Sequence, residues 1–394
     1  MAARWQRGTS HVRTSGGRAT GSPLQPGTIN RAADILIFAP GELSMSTQQT
    51  IFVTGVAGFI GFHVARRLVA DGWTVIGLDN CNDYYDPALK FARLEQLGES
   101  ITFYKGDLED KGLIDTIFTK HKPRYVCHLA AQAGVRYSID HPEEYVSSNI
   151  LGFLNILEAC RTHMPEHLVY ASSSSVYGNN TEVPFTTSDR VDKPASMYAV
   201  TKRTNELMAY CYHGLYNIPC TGLRFFTVYG PWGRPDMAYF KFAESILAGK
   251  PIDIYNHGNL SRDFTYIDDI VEGVVRVMGA GGAVMGTIHR APDPVDPDPI
   301  KGTIYRAPDD GARVMNIGNG APVSLLEFVE ILESELGVPA TKNFVDMQPG
   351  DVEKTWADCQ DLWELTGFKP NTSLRDGLHR FVEWFRTYYR TGKV

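Results

Sequence analysis

Tyr198 and Lys202 lie four residues apart in Ser196-Met197-Tyr198-Ala199-Val200-Thr201-Lys202. The stretch follows Pro194, opens with a serine suited to capping a helix, and continues through Arg203, Asn205, Glu206, Leu207 and Met208. This pattern predicts a helix starting near Ser196, with the phenol and the ammonium one turn apart on one face. A neighbouring positive charge favours phenolate, lowering a pKa that otherwise lies near ~10. Tyr198 is therefore a candidate general base or acid near neutral pH. Taken alone, Tyr-x-x-x-Lys also describes a packed ring beside a solvated lysine, so its meaning depends on what surrounds it.

The first surrounding element begins at Thr50. Ile51-Phe52-Val53-Thr54 reads as a buried strand, Gly55-Val56-Ala57-Gly58-Phe59-Ile60-Gly61 as a glycine turn, and Phe62, Val64, Ala65, Leu68 and Val69 as the inward face of a helix. A second strand, Trp73 to Leu78, ends in Asp79, eighteen residues past Gly61. Strand, glycine turn, helix, strand and terminal acid form a dinucleotide-binding unit. Gly55 allows the tight turn, Gly58 lets backbone approach a pyrophosphate, and Gly61 permits close helix–strand packing. Phe59 and Ile60 open the helix whose N–H groups face the phosphates. Asp79 is placed to accept from ribose hydroxyls. Its neighbour Asn80, with no arginine beside it, favours NAD over NADP.

Strand and helix signals keep alternating. Ile101 to Tyr104 leads to Gly106-Asp107-Leu108, and Tyr125 to Leu129 leads to Ala130-Ala131-Gln132, where small residues leave room for a flat cofactor. A helix follows from about Glu143 to Cys160, then a core strand from His167 to Ala171. The expected fold is α/β, a Rossmann-type doubly wound parallel sheet with a smaller C-terminal α/β substrate-binding domain. The next stretch, Ser172-Ser173-Ser174-Ser175-Val176-Tyr177-Gly178, places serines at the strand's carboxyl end, just before the Tyr198 helix.

A glycine loop, a serine-bearing strand end and Tyr-x-x-x-Lys in this order resemble the extended short-chain dehydrogenase/reductase superfamily and its nucleotide-sugar epimerase branch. The resemblance implies a triad of Ser173, Tyr198 and Lys202. Tyr198 would take a proton from a sugar hydroxyl while the adjacent carbon gives hydride to NAD. Lys202 would hold the nicotinamide ribose and lower the tyrosine pKa, and Ser173 would bond the reacting oxygen. It further implies Asp107 and Leu108 at the adenine, Ala130, Ala131 and Gln132 at the nicotinamide, and Phe225 closing over the cofactor.

Within the branch, side chains near the sugar select the product. Dehydratases carry Asp-Glu after the catalytic hydroxyl, and UDP-glucuronate decarboxylases typically place Glu at the second position; this chain has Ser174 and Ser175. UDP-galactose epimerases tend to have Asn-Pro where Thr227-Val228 stands here. Thr227 with Arg234 better suits an anion, because a guanidinium grips a carboxylate bidentately. Together with Asn82 to Pro87, Gly134 to Ser138 and Gln348 to Val352, these runs resemble the UDP-glucuronate 4-epimerases. A 4-keto uronate is a β-keto acid that loses carbon dioxide readily when its carboxylate stands perpendicular to the ketone. Ser174, Ser175, Thr227 and Arg234 are expected to pin it in an unreactive orientation. The run Asn256 to Phe264 resembles the family's UDP-binding loop, with Arg262 and Arg136 at the diphosphate and Asp351 at the uridine ribose. The alternatives are a UDP-glucuronate decarboxylase, a 4-epimerase of another UDP-sugar, and a non-catalytic dinucleotide-sensing protein.

Composition bounds the remainder. The 394 residues suit one large domain plus a smaller one, and a net charge of -7 argues against nucleic-acid binding. Six scattered cysteines without a CxxC pair predict reduced thiols, no zinc or other metal, and a cytoplasmic location. No run approaches the ~18 apolar residues of a membrane helix. Residues 1–48, arginine-rich and nearly free of acids, read as a disordered extension: a transit peptide or, more simply, upstream sequence ahead of Met45. Residues 49–225 are expected to be mainly NAD-binding and 226–394 mainly substrate-binding. A flexible insert at about 279–312 contains a short duplication, Gly286 to Asp293 recurring as Gly302 to Asp309. Family analogy adds a homodimer through helices near 143–160 and 198–216.

Overall fold

A computed structural model describes residues 49–284, 312–348 and 351–390. The extension over 1–48 and the duplicated segment 286–309 lie outside the described residues. In the N-terminal part, β1 (Thr50–Thr54), α1 (Phe59–Ala70), β2 (Thr74–Asp79), α2 (Ala88–Leu97), β3 (Ile101–Lys105), α3 (Lys111–His121) and β4 (Tyr125–His128) alternate. Short α4 (Tyr137–Asp140) and α5 (Pro142–Tyr145) lead to α6 (Gly152–His163), β5 (His167–Ser173), α7 (Met197–Tyr216) and β6 (Cys220–Phe225). Beyond them come β7 (Thr227–Tyr229), α8 (Ala238–Leu247), β8 (Ile252–Ile254), β9 (Ser261–Tyr266), α9 (Ile267–Val284) and β10 (Ala312–Ile317). The chain closes with β11 (Pro322–Ser324), α10 (Leu325–Leu336), β12 (Lys342–Phe344), α11 (Gln360–Thr366) and α12 (Leu374–Arg390).

Seven strands pair in parallel in the order β10-β6-β5-β4-β1-β2-β3. The order reverses between β1 and β4, and such a switch point opens a crevice at the strands' carboxyl ends. Period-two alternation sends neighbouring side chains to opposite faces. Ile51 and Val53 join the core under α1 and α9, whereas Phe52 joins the core under α3 and α6. All three are fully buried. Truncating Phe52 to alanine would cost about 3–5 kcal/mol. The last strand, β10, comes from well beyond residue 225 and pairs with β6 from Ala312↔Cys220 to Ile317↔Phe225. The C-terminal elements form a three-stranded sheet, β11-β9-β7, and a two-stranded one, β12-β8, packed by α8, α10 and α12. Among the described residues no helix is long and apolar enough to cross a membrane.

Two boundaries differ from the sequence reading. The helix expected over 143–160 is interrupted by a wide π-turn at Val146–Leu151. That turn directs buried Asn149 inward, where its Oδ1 accepts from the Gln132 N–H at 2.7 Å and its Nδ2 donates to the Gln132 carbonyl at 3.0 Å and to Thr201 Oγ1 at 3.0 Å. A regular helix would rotate the amide away from these partners. The insert also begins later than residue 279, because α9 continues to Val284. Its apolar periodicity carries the helix through the glycines.

Candidate active site

The cofactor cradle is built where β1 turns into α1. Gly55 holds φ +72°, and a Cβ there would stand 2.8 Å from the Ala130 nitrogen. A Cβ on Gly61 would collide with the Gly55 carbonyl oxygen. Glycine is thus required by conformation at one position and by close approach at the other. Asp79 ends β2 with both oxygens engaged: Oδ2 accepts from the Ala57 N–H at 3.1 Å and Oδ1 from the Cys81 N–H at 2.8 Å. Asn80 donates to Asp107 Oδ1 at 2.8 Å. A cavity of about 250 Å³ is lined by Gly55, Gly58, Phe59, Ile60, Gly61, Asp79, Asn80, Leu108, Ala130, Ala131, Gln132, Ser173, Tyr198, Lys202 and Phe225. Of the expected cofactor residues only Asp107 stands behind this wall, reaching it through Asn80. Gln132 Nε2 is buried in the same wall without a hydrogen-bond partner among the described residues. An orphaned amide donor is costly unless a ligand meets it, and with the glycine cradle and the carboxylate ending β2 it fits a pyridine dinucleotide.

Tyr198 and Lys202 project from the first turns of α7, capped as expected by Ser196, whose Oγ accepts from the Ala199 N–H at 3.1 Å. Lys202 Nζ donates to the Ala171 carbonyl at 2.8 Å and lies 6.0 Å from the centre of the Tyr198 ring. The fold adds influences on the phenol that sequence proximity did not reveal. Burial pushes the Tyr198 phenol up from its ordinary value; the Ser173 hydroxyl and the charge of Arg234 pull it down, and Asp236 pushes it up. Burial lowers Lys202 itself to about 8, opposed by the charge of Glu206. Glu206 is buried one turn further along α7, where it accepts from Arg224 Nε at 2.8 Å and from Ser172 Oγ at 2.6 Å. Ser173 Oγ accepts from the Ser175 N–H at 3.2 Å and donates to Ser175 Oγ at 3.0 Å, fixing the turn that carries the serines.

A second cavity, about 630 Å³, opens beside the first and shares Ser173, Tyr198, Phe225 and Arg234 with it. It gathers every expected substrate residue: Arg136, Ser173, Ser174, Ser175, Thr227, Arg234, Arg262 and Asp351. Arg136 Nη2 donates to Asp351 Oδ2 at 3.0 Å, so these two meet each other as well as the cavity. Arg262 Nη1 donates to the carbonyls of Ser261 at 2.9 Å and Glu353 at 3.1 Å, and burial lowers its pKa. Arg234 is tied to Asp236 by Nε to Oδ1 at 3.0 Å and Nη2 to Oδ2 at 2.5 Å. Tyr84 donates to the same carboxylate at 3.2 Å. Burial works to raise Asp236, but the Arg234 charge and hydrogen bonds hold its carboxyl below the usual range. Asp236, Tyr84, Lys241 and Tyr255 are wall residues that the sequence reading gave no role. Tyr84 and Asp236 had signals, one inside the Asn82 to Pro87 run and the other two residues after Arg234; Lys241 and Tyr255 reach the wall through tertiary packing alone.

The sequence over residues 51–286 matches the NAD dependent epimerase/dehydratase family. The chain is 52% identical over 341 residues to Protein CapI of Staphylococcus aureus, covering 86% of this chain and 99% of that protein. It is 48% identical over 340 residues to a probable UDP-glucuronate 4-epimerase of Rhizobium meliloti, covering 86% and 97%. Its fold is similar to a crystal structure of UDP-glucuronic acid 4-epimerase from Bacillus cereus in complex with UDP-glucuronic acid and NAD. That match has a TM-score of 0.74 and 32% identity, and spans 86% of this chain and all of that one.

Proposed function

The chain belongs to the NAD dependent epimerase/dehydratase family, and from that premise we propose that it interconverts UDP-glucuronate and UDP-galacturonate by NAD-dependent epimerisation at C4, with no net redox change. The observation that carries this reading is the anion grip at the junction of the two cavities. Arg234 stands with Ser174, Ser175 and Thr227, and no carboxylate occupies the two positions after Ser173. Asp236 occupies one edge of that guanidinium through Nε and Nη2, and the carboxylate of a uronate would meet the remaining N–H groups, which a neutral hexose would leave without an anion. Relatives similar over nearly their whole length, one named a probable UDP-glucuronate 4-epimerase, support the same substrate.

The cofactor cradle would hold NAD, which when bound supplies the acceptor and then the donor of the C4 hydride. Asp79 and Asn80 would meet the adenosine ribose, the N-terminus of α1 would meet the pyrophosphate, and Gln132 would give its N–H to the nicotinamide end. Tyr198, whose phenol burial pushes up and the Ser173 hydroxyl and Arg234 charge pull down, would act as phenolate and take the proton from the O4 hydroxyl as the C4 hydrogen leaves with its electron pair. Ser173 bonds the developing carbonyl oxygen, and Lys202 keeps a positive charge beside the reacting centre. The 4-keto sugar would then turn its other face, and Tyr198 would give the proton back to O4 as C4 is reduced from that face. During the turn Arg234, Ser174, Ser175 and Thr227 hold the carboxylate near the ketone plane, where its C–C bond has poor overlap with the carbonyl and carbon dioxide is retained. Residues 49–225 serve mainly the cofactor and 226–394 mainly the sugar nucleotide, whose diphosphate meets Arg262 and Arg136 and whose uridine ribose meets Asp351.

Incubation with UDP-glucuronate, followed by NMR of the sugar and capture of carbon dioxide, tests the reading. Appearance of UDP-galacturonate with carbon retained supports it; a UDP-pentose with carbon dioxide, or no turnover, refutes it. A homodimer completes the proposal. The outer face of α7 presents Leu207 and Tyr210, one turn apart and about half exposed at 53% and 47%, beside exposed Val146 and Leu151 of the π-turn. Leu207→Asp should yield monomers in light scattering if this face pairs. A cytoplasmic location agrees with six unpaired cysteines, five of them buried.

A further inference from the structure

Arg93 on α2 is fully buried, yet every partner of its guanidinium among the described residues is a neutral oxygen. Nη1 donates to the Ala57 carbonyl at 2.8 Å and to the Tyr85 hydroxyl at 2.7 Å. Nε and Nη2 both reach the Trp232 carbonyl, at 3.2 and 2.7 Å, and Nη2 also donates to the Gly233 carbonyl at 3.1 Å. All five N–H groups are thereby used. Burying a cation without a counter-charge is expensive, and an apolar side chain would pack the same space more cheaply. The partners show what the charge holds together. Ala57 belongs to the glycine loop, its own N–H bonded to Asp79. Trp232 and Gly233 are the two residues immediately before Arg234.

The segment being held is strained. Trp232 adopts φ +61°, rare for a bulky side chain, a conformation that persists only where surroundings over-determine it. A second tie comes from α1: His63 Nε2 bonds the Pro231 carbonyl at 3.0 Å. Three successive carbonyls leading into Arg234 are thus held by side chains of the cofactor-binding part. The Trp232 ring is pinned as well, with its centroid 5.7 Å from Phe62 of α1 and 5.3 Å from Trp384 of α12.

We propose that Arg93 is a positioning residue that ties the glycine loop to the arginine gripping the sugar carboxylate, so that cofactor binding and uronate recognition are thermodynamically coupled. The inference rests on the C4-epimerase reading. A loop displaced when the cradle is empty moves Ala57, and through one guanidinium moves the backbone that aims Arg234. By linkage, a bound uronate holds the cradle closed in return.

The test uses Arg93→Lys and Tyr85→Phe in the full chain, the second removing one partner oxygen without emptying the core. Two quantities are read: NAD retained per chain after purification, and the ratio of dissociation constants for UDP-glucuronate and UDP-glucose, with UDP alone as reference. For Arg93→Lys the expected result is NAD content below half and a tenfold fall in uronate preference, with UDP affinity within threefold of the parent. Saturating NAD should restore part of that preference. A merely structural role would weaken both sugars and UDP alike, and that result overturns the proposal, as does a change at one site without the other. If Arg93→Lys fails to fold, Tyr85→Phe must show both losses in smaller measure; no change in either refutes the coupling. A parent chain with no uronate preference sinks the underlying reading, and this inference with it. A preference that survives Arg93→Lys intact sinks this inference alone.

Discussion

Replacing Arg234 by alanine removes the arginine that, among the described residues, the walls of both cavities share. The guanidinium has five N–H groups, and Asp236 takes two of them, on Nε and Nη2. Three remain for a carboxylate. Two charge-assisted bonds at about 1.5–3 kcal/mol each come to roughly 3–6 kcal/mol, or a loss of ~10²–10⁴ in kcat/KM for the uronate, at about 1.4 kcal/mol per tenfold. The substitution also orphans Asp236, whose unpaired carboxylate then repels the substrate's own. Arg234→Ala/Asp236→Ala should therefore recover about tenfold over the single variant. Proton chemistry should move too: Arg234 pulls the Tyr198 phenol down and Asp236 pushes it up. The acid limb of the rate profile should shift to higher pH in the single variant and partly back in the double. Initial rates of uronate interconversion by NMR across pH, with UDP affinity by calorimetry, measure all of this. UDP binding should stay within threefold. Equal losses for UDP and uronate, or a double variant no better than the single, would refute the carboxylate grip.

Three further outcomes follow from the same structure. Ser173→Ala removes a hydroxyl that lowers the Tyr198 pKa, so the acid limb of kcat should move to higher pH, read from the rate profile. Lys202 lies at about 8 in the fold against 10.5 in an unfolded chain. The unfolded state binds the extra proton between these values, so its titration makes cofactor-free stability rise with pH from about 8 to 10.5, and Lys202→Met should flatten that rise in urea unfolding. Asp263 accepts three backbone N–H bonds, from Asn319, Gly320 and Ala357, and burial raises its carboxyl to about 6. Asp263→Ala orphans those donors and should cost about 3–5 kcal/mol, seen as a fall in Tm.

Local periodicity and turn chemistry are properties of neighbouring residues, and these were legible in the sequence. The four-residue spacing of Tyr198 and Lys202, the serine that caps their helix, the glycines of the first turn and the acid ending β2 all act within one element or between adjacent ones. The parallel sheet and the cradle follow from them. The π-turn at Val146–Leu151 was hidden, because its cause is Asn149 meeting Gln132 and Thr201 across the fold. The phenol's environment was likewise settled only in three dimensions. Sequence proximity pointed to Lys202, but a pKa depends on burial and on through-space charge, and only folding brings burial, Ser173, Arg234 and Asp236 to bear on the phenol. Arg93 makes the same point more sharply: its meaning lies in the Ala57, Trp232 and Gly233 carbonyls it joins. Every residue carries a carbonyl, so no pattern of side-chain types announces which ones a buried guanidinium will find.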